Sequence, residues 1–156
     1  MASVSQPDHS ASEGGGQRGY GKGRQRDEPN FEALPDSLPP QNLEAEEAVL
    51  GGILLDPDAI GRVVDVLQPE AFYLGAHREI FRTAVMLHSQ GKPTDLTAMT
   101  AWLADTGSLE KVGGSGRLVE LVERVASTAS IEQVARLVMD KFLRRQLIRS
   151  GNEVIQ

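Results

Sequence analysis

The chain has 156 residues, a formal net charge of −6, no cysteine and only 4% aromatic residues. Without thiols there can be no disulfides, thiolate metal sites or cysteine nucleophiles, and no apolar run approaches the ~18–20 residues that span a bilayer. The acidic balance argues against a surface that holds duplex DNA by bulk charge, and with no apolar leader at the start the expectation is a soluble, cytoplasmic chain.

Residues 1–37 differ in composition from the rest. Six glycines fall between Gly14 and Gly23, five of the eight prolines lie at or before Pro40, and apolar residues are few. Such a segment cannot bury enough surface to offset its ordering entropy, so a disordered tail is predicted. Gly16, Gly21 and Lys22 nearly spell a phosphate-binding loop, but Gly23 stands where a Ser or Thr should be. The flanking strand and helix that the motif needs are also missing. The stretch Gln17–Arg26, with Tyr20 and four bases, resembles Gly/Arg segments that bind single strands, but with one aromatic and four bases a flexible, solubilising extension is the preferred reading.

Helical spacing governs the remainder. Asn42 can cap a helix over 43–55 whose first turn carries Glu44, Glu46 and Glu47, where the helix dipole favours carboxylates. Gly51 and Gly52 inside it cost about 1 kcal/mol each against alanine, which predicts the close approach of another helix. Asp56-Pro57 starts a second helix over 57–67, and a turn at 69–72 follows. A third spans 76–90, closed by Gly91 and Pro93. Thr94 or Asp95 caps a fourth, which contains Leu96, Met99, Trp102 and Leu103. A turn at 108–112 and the break at Gly113-Gly114 lead into a fifth, around Leu118, Leu121 and Val125. Ser130 and Gln133 match a capping box and open the longest pattern, about 20 residues without a breaker before Gly151. No stretch alternates at period two. The fold class is all-α, a small globule of about six helices ending in one long helix.

No catalytic constellation appears. His9, His77 and His88 are widely spaced; His77 and His88 share a helix face but stand roughly 16 Å apart, too far for one metal. They are expected at the surface or the edge of the core. The glutamates at 44, 46 and 47 are accounted for by the helix start. No catalytic, cofactor-binding or metal-binding residue is assigned. Two features of the last helix suggest contacts instead. Ile131, Val134, Val138 and Phe142 form an apolar row and Leu137, Leu143 and Leu147 a second, with no later segment to cover them; the first row is the candidate oligomer interface. Lys141, Arg144, Arg145 and Arg149 form a basic stretch, a candidate contact for nucleic acid or an acidic partner.

The run from Leu38 to Leu55, with Pro39-Pro40, Glu44-Ala45-Glu46 and Val49-Leu50-Gly51-Gly52, resembles the N-terminal domain of the bacterial replicative DNA helicase, the DnaB family. Phe72-Tyr73, His77 to Phe81, Asp95-Leu96-Thr97, Val112-Gly113-Gly114 and the basic portion of the last helix follow in the order that family shows. The resemblance covers about 38–156 and nothing in the tail. It implies a helical globule over 38–129 and, over 130–156, the first arm of a helical hairpin. Hairpins pair between subunits, and three dimers build a collar on a hexameric ring. The implied partners are copies of the chain itself, primase, a helicase loader and, weakly here, single-stranded DNA; no membrane is implied. ATP and magnesium belong to the parent's ATPase domain, which this sequence does not contain, so the fragment itself is not expected to be an enzyme. Two other readings compete: the helicase-docking domain of a primase, and a weak single-stranded DNA-binding module.

Overall fold

A computed structural model describes residues 38–125 and 130–155; the predicted tail, its near-motif and its Gly/Arg stretch lie outside them. Six α-helices and two short 3-10 turns make up the described part: α1 Leu43–Leu55, α2 Ala59–Val63, α3 Gly75–Ser89, α4 Leu96–Asp105, α5 Gly114–Glu123 and α6 Ile131–Ile155, with turns at Pro69–Ala71 and Glu110–Val112. Among the described residues there is no strand.

The central element is α1, which touches each of the other five helices. Its sequence is apolar nearly all round, as a helix enclosed by neighbours must be, and Val49, Leu50, Ile53 and Leu54 are buried. Its start follows the expected cap, the Asn42 carboxamide oxygen accepting from the Ala45 N–H at 3.0 Å. The glycine pair serves the predicted close approach. A Cβ on Gly51 would overlap the Leu121 carbonyl oxygen and a Val125 methyl, and one on Gly52 would come within 3.2 Å of the Ile131 side chain. Thus α5 packs against one glycine and Ile131 of α6 against the other. Around this axis Ile60 and Val63 of α2, Ile80, Phe81 and Leu87 of α3, Met99 and Leu103 of α4, and Leu118 and Leu121 of α5 close the core. Phe72 stacks on Phe81 at 4.9 Å.

Several boundaries differ from the periodicity. The second helix is short because Asp56 is spent on the turn: its carboxylate accepts from the Asp58 N–H at 3.0 Å, and α2 begins only at Ala59. Thr94 does not cap α4. It is buried, and its hydroxyl reaches the Ile53 carbonyl of α1 at 3.3 Å. Asp95 takes the cap position. The break at Gly113, which has a left-handed φ of 105°, is used as expected, but α5 begins at Gly114, well before Leu118. Gly151 does not end the last helix, which continues to Ile155; an exposed glycine costs a helix about 1 kcal/mol and does not break it. At 25 residues, α6 is about 37 Å long.

Candidate interaction surface

Two polar clusters and one bare helix face stand out. The first cluster is internal. The Glu46 carboxylate on α1 is 1% exposed and faces His77 on α3, also 1% exposed. One oxygen accepts from His77 Nδ1 at 2.7 Å and the other from the Tyr73 backbone N–H at 2.6 Å. His77 Nε2 lies 3.4 Å from the Arg117 guanidinium of α5, which can only donate, so the ring proton sits on Nδ1. Arg117 also donates to Glu47 at 2.7 Å and to Glu120 at 3.2 Å, and Arg124 donates to the other Glu47 oxygen at 2.9 Å. Burial alone would raise the Glu47 carboxyl; the two arginines overcome it and hold it below its usual range. The cluster joins α1, α3 and α5. It also corrects two expectations: His77 is inside the core, and Glu46 and Glu47 do more than complement a helix dipole. Among the described residues no group of three His, Asp or Glu side chains is placed to hold a metal.

The second cluster surrounds Arg145 on α6. Its guanidinium donates to the Pro40 carbonyl at 2.7 Å and to the Ala71 carbonyl at 2.6 Å. It also lies 5.6 Å from the centre of the Tyr73 ring and 5.9 Å from that of Phe142. Arg78 of α3 donates to the Tyr73 carbonyl at 3.1 Å. Burial pushes the Arg145 guanidinium below its usual value; buried Glu46 opposes this, while Arg78 and Arg149 press the same way.

The bare face belongs to α6. Of the candidate interface residues, Val138 and Phe142 are buried, and Ile131 and Val134 are half-buried against the same core. The expected uncovered row is therefore corrected: α1 covers it, through Gly52 and its neighbours. The apolar side chains that α6 leaves exposed are Leu137, Leu143, Leu147 and Ile148, at 51%, 55%, 73% and 52%. At about 100° per residue Leu143 and Leu147 lie on the side of the helix opposite Val138 and Phe142, while Leu137 and Ile148 lie on a flank, roughly a quarter turn from Val138. They form two rows, Leu143 with Leu147 four apart and Leu137 with Ile148 three turns apart; the second apolar row of the sequence, Leu137, Leu143 and Leu147, is the exposed one, and Ile148 joins it. The basic candidates divide too. Arg144 pairs with Asp140 at 3.2 Å on the exposed side, Arg145 is anchored as described, and Lys141 and Arg149 meet no carboxylate among the described residues.

Known proteins share this arrangement. Residues 38–140 match the DnaB-like helicase N terminal domain. The chain belongs to that family. It is 59% identical over 118 residues to the replicative DNA helicase DnaB of Nostoc sp., covering 76% of this chain and 13% of the relative. It is 42% identical over 123 residues to the replicative DNA helicase DnaC of Bacillus subtilis, covering 79% of this chain and 27% of the relative. A crystal structure of the N-terminal domain of DnaB helicase from Mycobacterium tuberculosis superposes with a TM-score of 0.72 at 38% identity, over 76% of this chain and 86% of that one. A structure described as a DnaB-like replicative helicase and its interactions with primase gives a TM-score of 0.66 at 36% identity, over 73% of this chain and 27% of that one. The chain thus spans between about an eighth and a quarter of these helicases' length. The match over the whole globule favours the helicase family over a primase's docking domain. No described helix is long and apolar enough to cross a membrane.

Proposed function

We propose that the chain is the non-catalytic N-terminal domain of a hexameric replicative DNA helicase, which assembles the collar and docks primase. The supporting observation is the bare apolar face of α6. One side of the helix is fixed to the globule, and its outer sides present Leu137, Leu143, Leu147 and Ile148 to solvent. Large exposed aliphatic side chains in rows along one helix mark a surface built for another helix. In this reading 38–129 is the globule and α6 is the first arm of the pairing hairpin. Unwinding, with its ATP and magnesium, belongs to the remainder of a longer parent, which acts in the cytoplasm. Primase binding is supported by the structural neighbour that is described together with primase. A loader and single-stranded DNA are further partners of the assembled ring.

Sedimentation velocity over a concentration series tests the assembly step. Self-association is expected, and Leu143→Asp with Leu147→Asp should weaken it while the circular dichroism spectrum stays unchanged. A chain that stays monomeric up to about 1 mM, the weakest affinity of practical interest, would refute assembly through this face. Titration against a primase's helicase-docking domain tests the second step, and absence of heat or of any chemical-shift change would refute it.

A further inference from the structure

A row of cations runs along α6 beside the bare apolar face. Lys141, Arg145 and Arg149 recur every four residues, so they form one ridge about 12 Å long. Arg78 reaches the same place from α3, since Arg78 binds the Tyr73 carbonyl and Arg145 lies over the Tyr73 ring. Arg78 and Arg149 are exposed, and Lys141, Arg145 and Tyr73 are half-exposed. Among the described residues, none of these four cations meets a carboxylate in an ion pair. The nearby arginines do: Arg144 is taken by Asp140 and Arg82 by Glu79. The closest acid beneath the ridge is Glu46, and both of its oxygens are already engaged, by His77 and by the Tyr73 N–H. Like charges are therefore held together without an ion-pair partner, in a chain whose net charge is −6.

We propose that Arg78, Lys141, Arg145 and Arg149 form a docking surface for an acidic segment of a partner protein. Charge complementarity fixes the sign of the occupant: Arg78 and Arg145 spend donors on backbone carbonyls, which leave their positive charge unneutralised, and carboxylates would supply the missing charge. The rest of the surface fixes its class. Arginine and tyrosine beside an exposed aliphatic, here Ile148, are the composition of a protein–protein hot spot. A nucleic-acid strand carries dense charge along its whole length, and a chain with six excess acids repels it away from this one ridge. The ridge borders the apolar residues assigned to assembly at Ile148, but none of its four cations is among them, so charge reversal at the cations tests this proposal without altering those side chains.

The test uses the full 156-residue chain and two decameric polyanions, deca-glutamate and deca-thymidylate, followed by the arginine side-chain N–H signals in NMR. Deca-glutamate should shift the Arg78, Arg145 and Arg149 signals. Its affinity should fall at least about tenfold in the R78E/R149E variant, because lost contacts become repulsions. Both positions are exposed, so folding is kept, as circular dichroism will verify. Arg136→Glu, on another face of α6, should change the affinity less than about twofold, because distant charges are screened. Three results would overturn the proposal: no shift at these arginines, an equal loss with Arg136→Glu, or binding of deca-thymidylate as tight as or tighter than that of deca-glutamate through the same residues.

Discussion

Replacing Gly51 with alanine tests the packing of α1 directly. In an open helix this change stabilises by about 1 kcal/mol, because alanine loses less backbone entropy on folding. Here the new methyl would coincide with the Leu121 carbonyl oxygen and a Val125 methyl. The carbonyl belongs to the backbone of α5 and cannot turn aside as a side chain can, so α1 and α5 must separate. Forcing a methyl into a close-packed contact costs typically 1–3 kcal/mol, and more where backbone has to move. The net expectation for Gly51→Ala is a loss of about 2 kcal/mol. For a domain of this size that lowers Tm by roughly 8 °C. Gly61→Ala on the exposed surface of α2 is the control. Its Cβ would meet only the His88 ring, at an ordinary 3.9 Å, so stability should rise by about 0.5–1 kcal/mol. Urea unfolding followed by Trp102 fluorescence measures both variants against the parent chain. If Gly51→Ala proves as stabilising as Gly61→Ala, the two helices do not approach as closely as described and the account of the glycine pair fails.

Two further outcomes follow from the internal cluster. Glu46→Leu leaves His77 Nδ1 and the Tyr73 N–H without a partner in the core, and should cost about 3–5 kcal/mol. Glu46→Leu with His77→Phe should recover much of that loss, though the Tyr73 N–H stays orphaned; chemical denaturation of the four members of the cycle measures the coupling, and simple additivity would refute it. Glu47 gives a pH signature. Its carboxyl is held below the usual value of 4.5 when folded, so its contribution is present above that value and is lost as pH falls through the folded one. Stability measured from pH 6 down to pH 3 should therefore decline less steeply in Glu47→Gln, and identical slopes would count against the ion pairs with Arg117 and Arg124.

The parts of the fold governed by local rules are visible in the sequence. The cap at Asn42, the stop at Gly113 and the need for a close approach at Gly51 and Gly52 are signalled by local residues, and the structure shows each of them, though the neighbours Leu121, Val125 and Ile131 are far along the chain. The Glu46–His77 pair spans 31 positions. Nothing near either residue signals the other, and a glutamate in a first helical turn already has a sufficient local explanation. Arg145 presents the same difficulty, since its acceptors are carbonyls 105 and 74 positions away. Backbone carbonyls are available at every residue and leave no mark in the sequence. For α6 the difficulty was one of sidedness. The row Ile131, Val134, Val138 and Phe142 has the correct spacing, but spacing alone does not say whether the globule or a partner receives it. The second stripe, at Leu137, Leu143, Leu147 and Ile148, answers that only once α1 is seen against the first.

The grip of Arg145 has a mechanical consequence. One planar group bonds the segment leading into α1, at Pro40, and the turn before α3, at Ala71, while standing on α6. A load applied to the outer end of α6 meets this three-way rivet before it reaches the apolar core. The ten residues beyond Arg145 therefore act as a stiff lever about 15 Å long. Tilting that lever turns the globule with it, so movement at the tip is passed to the whole body instead of being lost in a hinge at the base of the helix.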